Sequence, residues 1–251
     1  VKGPSSETAF DEMQNMIETD LSSGSYDGVI ISPLQSDTAA QLVSGTKLPI
    51  VAIDTNFTAP EVKSFVGTGN EAAAKKGGEA AGWTDIKCIE IAGVQGDQTN
   101  TARMNGYKAG VEEAGGTFLS DEVQYADATA DRATTAMEAI MQTHPEGIAI
   151  ICANNDDMAM AAARAAQGHD AYKNTIFLGF NGDRAACEAI LAGQMTMSVA
   201  QMAYEMGYKA VETMVQVLDG ETVDEFVDSG SDVVTPDNAQ ERLDTLKTQL
   251  H

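Results

Sequence analysis

Polar side chains follow nearly every apolar strand pattern in this chain of 251 residues. They are hydroxyls, carboxylates, amides and one guanidinium, and no nucleophile and base stand together among them. Parallel sheets bind ligands outside the carboxyl ends of their strands, so these side chains are candidates for a binding surface. They are Ser32, Asp54, Thr55, Asn56, Thr68, Asn70, Gln95, Asp97, Arg103, Asn154, Asn155, Asp156, Asp157, Asn181 and Gln201.

Helix capping explains part of this polarity. We assign three residues to N-caps: Ser36, Asp156 and Asp183. Arg103 and Gln201 are not capping residue types, and no helical pattern begins close after Asp54. A surface of Asp, Asn, Gln and Arg suits a neutral polyhydroxyl ligand, because each hydroxyl both donates and accepts hydrogen bonds. The alternative for Arg103 is a surface position on its helix, paired with Asp97.

Patterns for catalysis or metal binding are weak. The histidines lie away from the strand ends, which argues against a Ser-His-Asp or Cys-His site. They are His144, His169 and His251. The cysteines have no metal-ligand spacing and fit small buried apolar side chains. They are Cys88, Cys152 and Cys187. We therefore expect a protein that is not an enzyme and that has no cofactor and no metal.

The charge excludes other classes of partner. Fifteen Lys and Arg against 38 Asp and Glu give a net charge of −23, which repels nucleic acid and anionic membrane surfaces. With 43% hydrophobic residues, the chain can still bury a core. No basic and apolar leader is seen at Val1, so we expect a secretion signal to be absent from this chain.

Short apolar runs alternate with helical patterns, which predicts an α/β protein with doubly wound parallel sheets. The predicted strands are 28–32, 50–54, 65–68, 88–92, 121–125, 148–153, 176–181 and 198–201. The predicted helices are 8–22, 36–44, 70–83, 99–114, 131–143, 156–167, 183–192 and 203–218. The glycine-rich stretch 75–78 lies within a helical pattern and is interpreted as a surface irregularity.

Six segments resemble the type I periplasmic sugar-binding proteins, the solute receptors of ABC importers of the ribose and galactose kind. They are YDGVIISP, LPIVAIDTNF, RMNGYKAGVEEAGG, ANNDDMAMAAARA, FLGFNG and GQMTMSVAQ, in this order along the chain. The same fold also forms the effector domain of lactose-repressor-type regulators, so the fold alone does not decide the function.

The resemblance implies two lobes joined by a three-strand hinge, with crossings near Thr68, Gln201 and Asp228. The N-terminal lobe would hold 1–67 and 202–227, and the C-terminal lobe 68–201 and 228–251. The family begins with a strand, a helix and a second strand that this chain does not show. We therefore expect an incomplete N-terminal lobe and residues ahead of Val1 in the natural chain.

The resemblance also selects the ligand-binding residues from the strand ends. They are Ser32, Asp54, Thr68, Arg103, Asn155, Asn181 and Gln201. Two positions depart from the ribose-type pattern: Asn181 stands where Asp is usual, and Ala130 stands where an aromatic ring stacks on the sugar. Both departures favour a sugar or polyol other than ribose.

The function expected from the sequence is that of an extracytoplasmic solute-binding protein. It would hold a neutral monosaccharide or polyol in an interlobe cleft and deliver it to an ABC permease in the membrane. We expect a location in the periplasm or on a lipid anchor, no nucleic-acid partner, and a monomer when full length. The alternative is the ligand-sensing effector domain of a lactose-repressor-type transcriptional regulator.

Overall fold

The computed structural model of the chain describes residues 1–6 and 9–249. The chain forms two compact units: unit 1 comprises 1–68 and 202–230, and unit 2 comprises 69–201 and 231–251. It passes from one unit to the other after Thr68, Gln201 and Gly230. The two segments of unit 1 end at Thr68 and Gly230, whereas the predicted N-terminal lobe has segments that end at Gly67 and Val227.

Eleven strands and nine α-helices form within the described residues. The strands are β1 Val29–Ile31, β2 Ile50–Ile53, β3 Val62–Gly67, β4 Lys87–Ala92, β5 Thr117–Phe118, β6 Gln124–Tyr125, β7 Ile150–Ala153, β8 Ile176–Asn181, β9 Met197–Gln201, β10 Phe226–Asp228 and β11 Ser231–Val234. The helices are α1 Phe10–Ser22, α2 Ser36–Leu42, α3 Asn70–Ala81, α4 Gln98–Glu113, α5 Ala130–Thr143, α6 Asp156–Ala166, α7 Arg184–Leu191, α8 Ala203–Leu218 and α9 Ala239–Gln249. None of the described helices is long and apolar enough to cross a membrane.

Unit 1 is a parallel four-stranded sheet in the order β1-β2-β3-β10, with helices on both faces. Ile50 and Ala52 pack with Ile17 of α1 on one face. Val51, which points to the opposite face as strand alternation requires, packs with Met206 of α8. The apolar character of both faces in β2 thus follows from its cover of helices.

Unit 2 is a seven-stranded sheet in the order β11-β9-β8-β7-β4-β5, with β6 also paired to β4. All of its strand pairs are parallel except β11 with β9. Ile89 and Ile91 of β4 face a core built with α5, α6, α7 and α9. Cys88 of β4 faces the other core, built with α3 and α4.

The predicted fold class, with doubly wound parallel sheets in two bodies, is confirmed. The segment 121–125 was expected to be one strand, but it forms a 3₁₀ turn at Ser120–Glu122 followed by the two-residue strand β6. The acidic residues Asp121 and Glu122 explain the difference, because charged side chains favour an exposed turn over a strand core. Four elements had no predicted counterpart: β5, β10, β11 and α9.

The interpretation of residues 75–78 as a surface irregularity is wrong. Gly77 and Gly78 are buried, and a Cβ added at Gly78 would lie 2.8 Å from the carbonyl oxygen of Tyr107. The space at Gly110 on α4 is smaller still, since a Cβ added there would overlap the carbonyl oxygen of Lys75. These glycines allow the backbones of α3 and α4 to approach more closely than side chains permit.

Candidate functional site

Arg103 is fixed at the carboxyl ends of the unit 2 strands, although it belongs to the second turn of α4. Its Nε donates to Asn70 Oδ1 at 2.8 Å, and its Nη1 donates to the carbonyl oxygen of Asn154 at 2.8 Å. The guanidinium carbon lies 3.8 Å from the centroid of the Phe180 ring, a cation–π distance. Only 7% of the residue is exposed, so the alternative of a surface pair with Asp97 is wrong.

Asp97 serves instead as the N-cap of α4. Its carboxylate accepts from the backbone N–H of Asn100 at 2.7 Å. The buried amide of Asn100 in turn accepts from Asn154 Nδ2 at 2.8 Å and from the backbone N–H of Gly93. This network links the start of α4 to the ends of β4 and β7, and so fixes the helix that carries Arg103.

Asn155 follows β7 and is held by two bonds within unit 2. Its Oδ1 accepts from the backbone N–H of Met158 at 2.9 Å, and its Nδ2 donates to the carbonyl oxygen of Ala128 at 3.1 Å. Asn155, and not Asp156, is therefore the N-cap of α6, which corrects the capping assignment. An Asn155 amide so oriented retains acceptor capacity at Oδ1, since a carbonyl oxygen has two lone pairs.

Asp156 is a buried bridge rather than a cap. Its carboxylate accepts from Ser198 Oγ at 2.6 Å and from the backbone N–H of Gly182 at 2.7 Å. Burial raises the pKa of this carboxyl to about 7, and the hydrogen bond from Ser198 opposes that rise. Asp156 thereby ties α6 to β9 and to the turn after β8.

The two other capping assignments have different outcomes. Asp183 is confirmed as the N-cap of α7, where its carboxylate accepts from the backbone N–H of Ala186 at 2.8 Å. Ser36 is wrong as a cap, because α2 begins at Ser36 itself and has Gln35 at its N-cap. The Ser36 hydroxyl donates instead to the carbonyl oxygen of Asn56 at 2.7 Å.

Asn181 and Gln201 lie together at the ends of the neighbouring strands β8 and β9. Gln201 Nε2 donates to Asn181 Oδ1 at 2.9 Å, and both residues are half-buried. Asn181 has a φ of 131°, a conformation that non-glycine residues adopt at a cost. Arg242 of α9 supports this turn by donating to the carbonyl oxygens of Gly182 at 3.1 Å and Gln201 at 2.7 Å.

Unit 1 presents its three candidates after three adjacent strands. Ser32 is exposed after β1, Asp54 is half-buried after β2, and Thr68 is buried after β3. Asp54 has a φ of 65° and lies at the centre of a tight turn, in which the N–H of Thr55 donates to the carbonyl oxygen of Ile53 at 2.7 Å. Backbone strain of this kind is common at binding sites.

Glu90 is a further buried residue near Arg103 that the sequence did not single out. It is fully buried on β4, and neither carboxylate oxygen has a hydrogen-bond partner among the described residues. Burial raises the pKa of Glu90 to about 8, and the positive charge of Arg103 opposes the rise. The signal in the sequence is an acidic residue between Ile89 and Ile91 in an otherwise apolar strand.

The histidines and cysteines within the described residues have structural surroundings. His144 lies at the C-terminus of α5, with Nε2 2.5 Å from Glu122 Oε2, and His169 is exposed. His251 lies outside the described residues. The three cysteines are buried and free, which confirms their assignment as small core side chains. The described chain contains no group of three or more residues that could hold a metal.

Comparison with known proteins identifies the family to which this α/β chain belongs. The model of the family described as "Periplasmic binding protein domain" matches residues 1–222. The chain therefore belongs to the periplasmic binding protein family, and within it to the type I sugar-binding proteins.

Three similar proteins illustrate the degree of similarity to known binding proteins. The chain is 30% identical over 207 residues to the ribose import binding protein RbsB of Escherichia coli, covering 78% of this chain and 67% of that protein. It is 29% identical over 224 residues to the D-allose-binding periplasmic protein of the same organism, covering 84% and 71%. A solute-binding protein structure from Mycobacterium smegmatis with bound glycerol has a TM-score of 0.79 and 28% identity, covering 92% and 82%. These relatives are named as binding proteins, not as enzymes or transcription regulators.

Proposed function

We propose that this protein captures a neutral monosaccharide or polyol outside the cytoplasm and delivers it to the permease of an ABC importer. The observation that carries the proposal is the anchored guanidinium of Arg103. Asn70, Asn154 and the ring of Phe180 hold one edge and one face of it in place at the strand ends. A fixed planar group of donors suits two neighbouring hydroxyls of a sugar better than a mobile point charge does.

The ligand contacts that we propose are the seven strand-end residues. In unit 2 these are Arg103, Asn155, Asn181 and Gln201, and in unit 1 they are Ser32, Asp54 and Thr68. The Asn181–Gln201 pair offers amide donors and acceptors without net charge, which suits a neutral ligand. Asp54 supplies a carboxylate that accepts from hydroxyls, the complement of the donors on Arg103.

The class of ligand is supported by the chemistry of these side chains and by the relatives. RbsB is named for ribose, the second relative for D-allose, and the third protein holds glycerol. Asn181 in place of Asp lowers the charge that faces the ligand, and Ala130 at the start of α5 offers no stacking ring. These two positions favour a hydroxyl-rich ligand other than ribose.

A thermal-shift screen followed by calorimetric titration tests the proposal. Pentoses, hexoses, polyols and nucleosides are added to the purified chain, because a ligand at 100 times its Kd adds about 2.7 kcal/mol to stability. We expect Arg103→Ala to weaken binding of the sugar so identified by at least about tenfold, roughly 1.4 kcal/mol. Arg103→Lys should not restore affinity, since an ammonium cannot reproduce the planar group.

Arg184→Ala is the matched control for this substitution. Arg184 lies on α7 of the same unit, is exposed, and pairs with Glu188. Its loss should leave the Kd unchanged. Wild-type affinity in Arg103→Ala would overturn the assignment of the site, and chemical turnover of the bound sugar would overturn the assignment as a binding protein.

A further inference from the structure

The buried carboxyl of Glu90 has no part in the ligand contacts proposed above. Its two oxygens have no hydrogen-bond partner among the described residues, and none of its surface is exposed. A buried polar group in this state destabilises a fold, because the hydrogen bonds that it makes to water in the unfolded chain are lost. An apolar residue would pack at this position without that cost. Stability alone therefore does not explain the carboxyl of Glu90, and we look for a functional role.

The register of the sheet places Glu90 close to the groups that hold Arg103. Glu90 pairs with Cys152 across β4 and β7. Asn154, two residues beyond Cys152, accepts from Arg103 through its carbonyl oxygen. Glu90 points to the same face as Cys88, into the core that contains Tyr107, which lies one helical turn after Arg103 on α4.

We propose that Glu90 is a positioning residue that supplies the countercharge behind the Arg103 guanidinium when ligand covers it. This inference rests on the proposed role of Arg103 in sugar binding. A bound sugar removes the little water that still reaches Arg103, of which 7% is exposed, and a cation that loses its last water is stabilised more strongly by a nearby carboxylate. The ionised form of Glu90 therefore favours the ligand-bound protein, and ligand binding favours ionisation to the same extent.

The pH dependence of sugar affinity is the distinguishing consequence. Because burial raises the pKa of Glu90 to about 8, affinity should rise as the pH increases through that value. The other titratable groups in contact with this region are Tyr107 of α4, Cys152 of β7 and Cys88 of β4 itself. Burial raises the pKa of Tyr107 and of Cys152 well above their ordinary ranges, and α3 faces this core with alanines and glycines.

The experiment measures the Kd of the sugar found in the screen at about pH 6 and about pH 9, on either side of that pKa. We expect the wild-type affinity to rise by about fivefold, a shift of about 1 kcal/mol. Glu90→Gln keeps the shape of the neutral side chain, so it should match the wild type at the lower pH and show no rise. Asp156→Asn removes the other buried carboxyl of unit 2, which contacts Ser198 and Gly182 instead, and should keep the rise.

The outcomes separate this inference from the proposed function. A wild-type affinity that does not change with pH, or a rise that persists in Glu90→Gln, overturns the role of Glu90 while the loss of affinity in Arg103→Ala still supports the site. Wild-type affinity in Arg103→Ala overturns the site itself, whatever Glu90 does. Thermal unfolding of Glu90→Gln at both pH values checks that the variant folds. If the role of Glu90 were purely structural, the substitution would change the Kd equally at both pH values.

Discussion

The two units position their candidate binding residues by different means. In unit 1, Asp54 is set by the backbone, through a φ of 65° and a tight turn at the end of β2. In unit 2, Arg103 is set by side chains, through Asn70, the carbonyl of Asn154 and the ring of Phe180. A residue held by its backbone can change with little effect on its neighbours, whereas residues in a shared network are energetically coupled.

The helices of the two units also pack by different means. In unit 2, α3 and α4 approach through buried glycines, and Gly110 leaves no room for a Cβ. In unit 1, α8 packs on the sheet through Met206, Ala210 and Met214, while Tyr208 and Val211 on its outer face are exposed. Close backbone packing fixes α4, and with it Arg103, more strictly than flexible methionine side chains fix α8.

The largest effect is therefore expected from filling the α3–α4 contact. Gly110→Ala should lower the free energy of unfolding of unit 2 by about 3 kcal/mol, because its Cβ would meet the backbone of Lys75 and Glu79 at 2.1 and 2.7 Å. Gly207→Ala in α8 is the control, since nothing lies within 4 Å of that Cβ. It should raise stability by about 1 kcal/mol through helix propensity. Urea unfolding measures both, and equal effects would contradict the difference in helix packing.

The second prediction concerns the destabilising charge in unit 2. The pKa of Glu90 is raised from its ordinary 4.5 to about 8, so the unfolded chain releases this proton first as the pH rises. The wild type should therefore lose stability between those values and no further above them. Glu90→Gln removes this contribution and should have a higher free energy of unfolding than the wild type near pH 8.

Chemical denaturation at several pH values measures this difference. Below about pH 4.5 both proteins carry a neutral group at position 90, and their stabilities should converge. Asp156, whose pKa burial raises to about 7, contributes a loss of stability with rising pH that is common to both proteins. A variant that is no more stable than the wild type at the higher pH would show that the Glu90 carboxylate is well compensated.

The parts of the molecule that could be predicted from sequence are those set by local patterns. Alternating strands and helices, and the polar residue after each strand, are visible in runs of a few residues, and β8 was predicted with its observed bounds. The partners of Arg103 were not predicted, because Asn70 lies 33 residues away and Asn154 lies 51 residues away along the chain. Such contacts depend on which strands are neighbours in the sheet, and local sequence patterns do not determine strand order.

The same reason explains the errors at Gly78, Asp156 and Glu90. A glycine in a helical pattern is compatible with a surface defect or with a close helix contact, and only the neighbour Tyr107 decides between them. Asp156 follows Asn155, and both residue types cap helices, so the side chain that reaches Met158 could not be chosen from sequence. Glu90 carries information in its unexpected polarity, and that signal was missed.

The third prediction tests whether backbone geometry positions the unit 1 site. Asp54→Ala and Asp54→Gly both remove the carboxylate and should each weaken sugar binding by at least about tenfold, roughly 1.4 kcal/mol. Their stabilities should differ, because glycine adopts a φ of 65° freely and alanine does not. We expect the free energy of unfolding of Asp54→Gly to exceed that of Asp54→Ala by about 1 kcal/mol. Calorimetric titration and urea unfolding of the pair separate the two roles, and equal stability would argue against a strained turn.

The smallest effect is expected at His144, which belongs to unit 2 but contacts no candidate ligand residue. Its hydrogen bond to Glu122 raises the pKa of the imidazole above 6.5. A raised pKa means that the pair stabilises the fold below about pH 6.5 and that this stabilisation is lost as the pH rises through the folded-state value.

Glu122→Gln should accordingly lower stability by about 0.5 kcal/mol near pH 6, since Glu122 is partly exposed and such pairs are weak, and by nothing near pH 9. Sugar affinity should not change at either pH. A change in Kd would mean that unit 2 transmits strain from α5 to the strand ends, and that its network extends beyond the residues that contact Arg103.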